Sequence, residues 1–186
     1  MSVDIERPRR LFTADEFERM DAAGVFNPEE RLELIEGDIV EMTPVAPGHG
    51  AAIACLNKRL ILGVRDRAVV WIQGGARIAL RSLARPDLAL LRPRSYRRAN
   101  PTPEHIMLAV EVADTSLLFD RTRKVRLYAA AGISEYWVVG VEREWVEVYR
   151  APEGEGYRDV RRVQRGDTIA PLSFPDLVIS VADIFA

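Results

Sequence analysis

Met107-Leu-Ala-Val-Glu-Val112, Asp120-Arg-Thr-Arg-Lys-Val-Arg-Leu-Tyr-Ala-Ala-Ala131 and Glu135-Tyr-Trp-Val-Val-Gly-Val141 follow one another in the middle of the chain. The first is a short apolar run with one acid in it, and such runs read as buried strands. The second has the periodicity of a helix, closed by Gly132 as its C-terminal cap. The third is again apolar and pairs naturally with Glu144-Trp-Val-Glu-Val-Tyr-Arg150 as a hairpin. Strand, helix and strand in this order predict an α/β domain layered around a mixed sheet.

Working outward, Thr13-Ala-Asp-Glu-Phe-Glu-Arg-Met20 predicts a short helix, with Thr13 as N-cap and Glu16 completing a capping box. Arg31 to Met42 predicts a hairpin turning at Glu36-Gly37-Asp38. A second helix is expected from about His49 to Leu62, apolar at Ile53, Leu56, Leu60 and Ile61. Val69 to Leu80 predicts one strand region bent at Gly74-Gly75. Arg85-Pro-Asp-Leu-Ala-Leu-Leu91 is a second acid-bearing strand, and a Pro- and Arg-rich loop joins it to Met107. Gly154-Glu-Gly156 marks a turn, and Val178 to Phe185 closes the chain. There is no repeat, low-complexity tract or linker, so residues 1–186 are expected to form one domain with extra hairpins at both ends.

Composition narrows the function classes. A hydrophobic fraction of 48% and a charged fraction of 29% are ordinary for a water-soluble globular chain. No apolar run is long enough to span a bilayer, and Met1 to Arg10 has no apolar signal core, so a cytoplasmic location is expected. Cys55 is the only cysteine, which excludes an internal disulfide and a cysteine zinc cluster. A net charge of −2 argues against coating nucleic acid by bulk charge. It leaves room for local basic surfaces, and Arg92, Arg94, Arg97 and Arg98 form one such cluster. Solvated faces are the alternative for each cluster.

Lys124 carries most of the chemistry. Of 26 basic side chains, only Lys58 and Lys124 are lysines. At about 100° per residue, Lys124 falls among Leu127, Tyr128 and Ala131, on the inward face of its helix. A lysine directed into a core requires carboxylates to meet it, and Asp87 and Glu111 on the two acid-bearing strands can supply them. These are hard oxygen ligands of the kind magnesium or manganese prefers, and the carbonyl of Val112 can add a third oxygen. A bound ion would polarise a phosphate and lower the pKa of a water, and Lys124 would hold or help deprotonate that water. The structural alternative is that Asp87 caps a strand after Pro86, while Glu111 and Lys124 form a buried ion pair. Glu33 is a further acidic candidate if its hairpin strand passes the site. His49 is another, either touching a phosphate or water or simply shaping its Gly-rich turn. Asp120 reads as the cap of the lysine helix. Ser116 reads as turn chemistry, or as a partner of Glu111 or a phosphate, and Tyr136 and Trp137 read as core.

Pro86-Asp87, then Glu111 on an apolar strand, then a lysine, resembles the PD-(D/E)XK phosphodiesterase superfamily, which includes many restriction endonucleases. The usual motif places lysine two residues after the second acid, where this chain has Ala113. One bacterial branch, the Uma-type putative restriction endonuclease family, carries its lysine on the following helix. The chain resembles it at Leu32-Glu-Leu-Ile-Glu-Gly37, Arg85-Pro-Asp87, Val110-Glu-Val-Ala-Asp-Thr-Ser116, Asp120-Arg121 with Lys124, and Tyr128 to Trp137. The resemblance implies a restriction-endonuclease-like core, with Asp87, Glu111 and Lys124 catalytic. It also implies a Mg2+ or Mn2+ ion on Asp87, Glu111 and Val112, and DNA as substrate. Arg94, Arg97 and Arg121 become candidate nucleic-acid contacts. Cutting both strands of a duplex needs two active sites, which makes a homodimer an expectation too. The rival readings are a non-catalytic binding module on the same fold and a hydrolase of a small phosphate ester.

Overall fold

A computed structural model describes residues 9–42 and 46–186 of the chain. The reading of the first residues for a signal core therefore falls, for residues 1–8, outside the described part. Helix α1 (Ala14–Ala22) starts as its sequence predicts. The Glu16 amide donates to Thr13 Oγ1 at 3.2 Å, and the Thr13 amide donates back to Glu16 Oε2 at 3.0 Å. Strands β1 (Leu32–Ile35) and β2 (Asp38–Glu41) form the expected hairpin. Its turn residues Glu36 and Gly37 both have positive φ, 53° and 92°, the geometry of a tight two-residue hairpin turn. Helix α2 (Pro47–Val64) opens with proline at its first turn and buries Ala52, Leu56, Leu60 and Val64. Ile61, read as an inward position, is 48% exposed.

The run from Val69 to Leu80 is not one bent strand. It is β3 (Val69–Ile72) and β4 (Ala76–Ala79), which belong to different sheets. The chain changes sheet at Gln73-Gly74-Gly75. Gln73 has φ 49°, and a Cβ at Gly74 would lie 2.4 Å from the Trp71 ring, so the backbone passes directly against that indole. Strands β5 (Ser82–Ala84), β6 (Leu88–Leu91) and β7 (Ile106–Ala113) follow. A helical segment then leads to β8 (Glu135–Gly140), β9 (Trp145–Glu153) and β10 (Gly156–Gln164), and β11 (Thr168–Ile169) with β12 (Ile179–Ser180) closes the chain. A six-stranded sheet has the order β10-β9-β8-β7-β6-β3, and a four-stranded sheet the order β2-β1-β5-β4. Within the first, β7 and β8 are parallel and all other neighbours antiparallel, so the sheet is mixed as expected. No helix among the described residues is long and apolar enough to cross a membrane.

The helix between β7 and β8 is less regular than its sequence. Helix α3 (Leu117–Phe119) runs into a π-helical turn (Asp120–Lys124) and then into α4 (Val125–Ala130), ended by Gly132 at φ 73°.

Strand periodicity decides which side chains reach the site. On β6 and β7, Leu88, Leu90, Leu108, Val110 and Val112 face α2 and the C-terminal segment. Ala89, Leu91, Ala109 and Ala113 face the opposite core, which holds Leu127 and Tyr128 of the lysine helix and Ile35 of β1. Glu111 shares the parity of Ala109 and Ala113, and Asp87 that of Ala89 and Leu91. Glu33 shares the parity of Ile35, while Leu34 packs beneath α1. All three acids therefore point into the space between the two sheets and the lysine helix.

Candidate active site

Lys124 enters that space from the helix and is 3% exposed. Its Nζ donates to Glu111 Oε1 at 2.9 Å and lies 3.0 Å from Glu33 Oε2 and 3.1 Å from Glu33 Oε1. Tyr128, one helical turn on, donates its hydroxyl to the same Glu111 Oε1 at 2.9 Å. The backbone amide of Arg85, between β5 and β6, donates to Glu33 Oε1. Glu33 is 3% exposed, so an acid on an alternating strand is buried here because its sheet is covered on both faces.

Asp87 sits just before β6 and is clamped from three sides. The Val112 amide donates to Oδ2 at 2.9 Å, Gln73 Nε2 donates to Oδ1 at 3.1 Å, and His49 Nε2 lies 3.2 Å from Oδ1. The change of sheet at Gly74-Gly75 is what delivers Gln73, and the first turn of α2 delivers His49. Glu33, His49, Asp87, Glu111, Val112, Asp120 and Lys124 all line one cavity of about 300 Å³.

Asp120 does not cap the helix. The helix begins earlier, at Leu117, so Asp120 falls inside it, on the π-helical turn, and is 3% exposed. Ser116 donates its hydroxyl to Asp120 Oδ2 at 2.6 Å, and so serves Asp120 rather than Glu111. The π turn brings both Asp120 and Lys124 to the cavity, and such turns concentrate at functional sites. Tyr136 and Trp137 are fully buried, and the Tyr136 hydroxyl donates to the Asp120 carbonyl at 3.1 Å.

The charges are unbalanced, since several buried carboxylates share one ammonium. Burial opposes the charge on Lys124, but Glu111, Glu33 and Asp120 outweigh it and hold the ammonium well above the usual lysine range. Burial pushes Glu111 well above the usual carboxylate range. Lys124 pulls it down, but Asp120, Asp87 and Glu33 add to the upward push. Burial likewise raises Asp120 to about 6, against the pull of Lys124 and Ser116. Asp87 goes the other way: burial raises it, but His49, the Val112 amide and Gln73 together hold it below its ordinary value. Burial and the nearby Glu111 keep the Tyr128 phenol protonated, as a donor.

Among the described residues, no three His, Cys, Asp or Glu side chains are grouped closely enough to hold a metal ion on their own. The donor chemistry still fits magnesium or manganese, which is commonly held by one or two carboxylates, with waters and substrate phosphate completing the shell. Among the described residues, the side-chain hydrogen bonds of Glu111 fall on Oε1, and Asp87 Oδ2 accepts only from the Val112 amide. The buried negative charge that Lys124 alone does not balance also favours a cation.

Arg94 and Arg97 are elsewhere. They follow the far end of β6, whose four residues, at roughly 3.3 Å each, separate them from Asp87. They line a different cavity with Tyr96, Asn100 and His105. Arg121 lies beside the site but is tied to Glu147, at 2.8 and 3.1 Å. Sequence reading missed Asp120 as a cavity residue and passed over Arg31, which also lines the cavity.

The family model Uma2, described as "Putative restriction endonuclease", matches residues 14–182. Among solved structures, the chain is similar to a putative nuclease belonging to DUF820 from Anabaena variabilis ATCC 29413. The TM-score is 0.72 at 17% identity, covering 94% of this chain and 97% of that one. At that identity the likeness shows the fold. No curated protein matches the chain.

Proposed function

We propose, from the premise that the chain belongs to the Uma2 family of putative restriction endonucleases, that it is a metal-dependent phosphodiesterase cutting DNA. The observation that carries this reading is the single cavity in which Asp87, Glu111 and Lys124 meet. Asp87, Glu111 and the Val112 carbonyl would hold Mg2+ or Mn2+, which when bound polarises the phosphate and acidifies a water.

The chain's own groups divide the remaining work. Hydrolysis adds a water oxygen to phosphorus and breaks a P–O ester bond; one proton leaves the attacking water, and the departing ester oxygen takes one up from solvent. Lys124 stays an ammonium, so its role is electrostatic and positional rather than that of a base. An ammonium has three donors. Glu33 and Glu111 engage two of them, leaving one for the water or for a phosphoryl oxygen as charge develops there. Burial raises the Asp120 carboxyl to about 6, which suits it to receive the water's proton. Ser116 fixes the Asp120 carboxyl, and Tyr128 fixes that of Glu111. Cutting both strands of a duplex brings a homodimer into the proposal.

A second reading, hydrolysis of a small phosphate ester, draws on the cavity's size. About 300 Å³ is at the low end for small-molecule pockets. The test is cleavage of plasmid, single-stranded DNA and p-nitrophenyl phosphate esters with magnesium, manganese or chelator. Metal-dependent cutting of DNA, abolished by Asp87→Ala, supports the nuclease. Hydrolysis of the small esters alone supports the second reading, and inactivity on all substrates with every metal refutes both.

A further inference from the structure

A cavity lined by Glu33, Glu41, Asp87, Glu111, Asp114 and Asp120 repels the phosphate that a nuclease must admit. Its cationic lining consists of Lys124 and Arg31, apart from the histidine His49. The charge of Lys124 is already offset by Glu33 and Glu111, so its one open donor brings no net positive charge to meet a phosphate. The other arginines near the site are also engaged: Arg121 with Glu147, Arg123 with Glu36 and Asp38, and Arg126 with Glu155. Among the described residues, the Arg31 guanidinium makes no ion pair or side-chain hydrogen bond, although Glu41 lines the same cavity.

Its position is set by the hairpin. The Arg31 carbonyl accepts the Met42 amide at 2.7 Å, which extends the β1–β2 register by one pair beyond Leu32 and Glu41. Two residues before Glu33, Arg31 shares its strand parity. It stands roughly 7 Å along the strand from the acid that holds Lys124. Glu33 is buried and Arg31 half-exposed, so the strand runs from the closed end of the cavity to its mouth.

We infer that Arg31 is the phosphate anchor of this site, a binding residue that draws the DNA backbone into an otherwise acidic cavity. The inference rests on the nuclease reading above. A guanidinium presents paired N–H donors that match phosphate oxygens, and one left without a carboxylate partner has those donors available.

The test uses a fluorescent single-stranded oligodeoxynucleotide with the full-length protein. Cleavage is followed with manganese, and binding by anisotropy with calcium in its place over a salt series. Losing one charge-assisted contact predicts a KM and dissociation constant raised roughly tenfold to a hundredfold in Arg31→Gln, with kcat little changed. The salt slope should fall by about 0.7. Arg31→Lys should recover part of the affinity, and both melting temperatures should stay near wild type. Wild-type KM and salt slope in a folded Arg31→Gln protein would overturn the anchor, as would a loss confined to kcat. A wild-type protein that neither binds nor cuts the oligonucleotide would instead overturn the nuclease reading on which the anchor depends.

Discussion

Asp120→Asn should stabilise the protein above neutral pH while removing activity. Burial lifts the Asp120 pKa from 3.8 to about 6 in the folded chain. The folded state thus holds this proton more tightly than the unfolded state. That contribution to stability is complete below the ordinary aspartate range and is lost as pH rises through about 6. At 1.36 kcal/mol per pKa unit, the shift is worth about 3 kcal/mol. Asparagine keeps an acceptor for the Ser116 hydroxyl but has no charge to desolvate. Urea unfolding of both proteins from pH 4 to pH 8 measures the effect. Groups remote from Asp120 cancel in the difference between them, whereas Glu111, which the Asp120 charge pushes upward, is relieved in the variant and adds to the effect in the same direction. Because the unfolded aspartate is already partly ionised at pH 4, that difference should grow by about 2.4 kcal/mol in favour of the variant across the range, or roughly 5–10 °C in melting temperature for a chain of this size. Magnesium should shrink it, because a cation stabilises the ionised carboxylate in the wild type. A difference flat with pH would show that Asp120 titrates normally and would refute the charge imbalance at the site.

Lys124→Met leaves Glu33 and Glu111 buried without their cation, and urea unfolding should register a loss of about 3–5 kcal/mol near neutral pH, smaller in acid where the carboxylates are protonated. Lys124→Arg keeps the charge, but its planar fork is larger than the buried ammonium it replaces. The folded variant should cut DNA no better than Lys124→Ala, and an active, metal-dependent arginine enzyme would show that charge alone suffices. Calorimetric titration with manganese should show binding sharply weakened in Asp87→Ala and Glu111→Ala, and unchanged affinity in both would move the metal elsewhere. Tyr128→Phe removes one donor from Glu111 Oε1 and should cost about 1 kcal/mol in chemical unfolding.

Much of this site was legible because strands and helices have different periods. An acid in a short apolar run is conspicuous, and two such runs exposed Asp87 and Glu111. Helical phase put Lys124 with Leu127 and Tyr128, and that held because all three lie at or beyond the end of the π turn. Asp120 lies at its start, where a helix without a capping side chain begins at Leu117 and leaves no mark in the sequence. Glu33 was ambiguous for another reason. Alternation assigns two faces to β1, but only the tertiary fold shows that α1 covers one and the lysine helix the other. Similarly, Gly74-Gly75 announced a break in the backbone, yet nothing local distinguishes a bend within one sheet from a passage between two.

The two bridges of Lys124 differ greatly in span. Its partner Glu111 lies 13 residues away and Glu33 lies 91. During folding, closure of the short loop from β7 into the lysine helix is entropically easier than recruitment of the N-terminal hairpin. A chain caught with only the first contact made would hold Lys124 against Glu111 with its other side open to water, lacking both the carboxylate of Glu33 and the wall that the hairpin supplies. The cavity is therefore closed only when its longest-range contact, between Lys124 and Glu33, is in place.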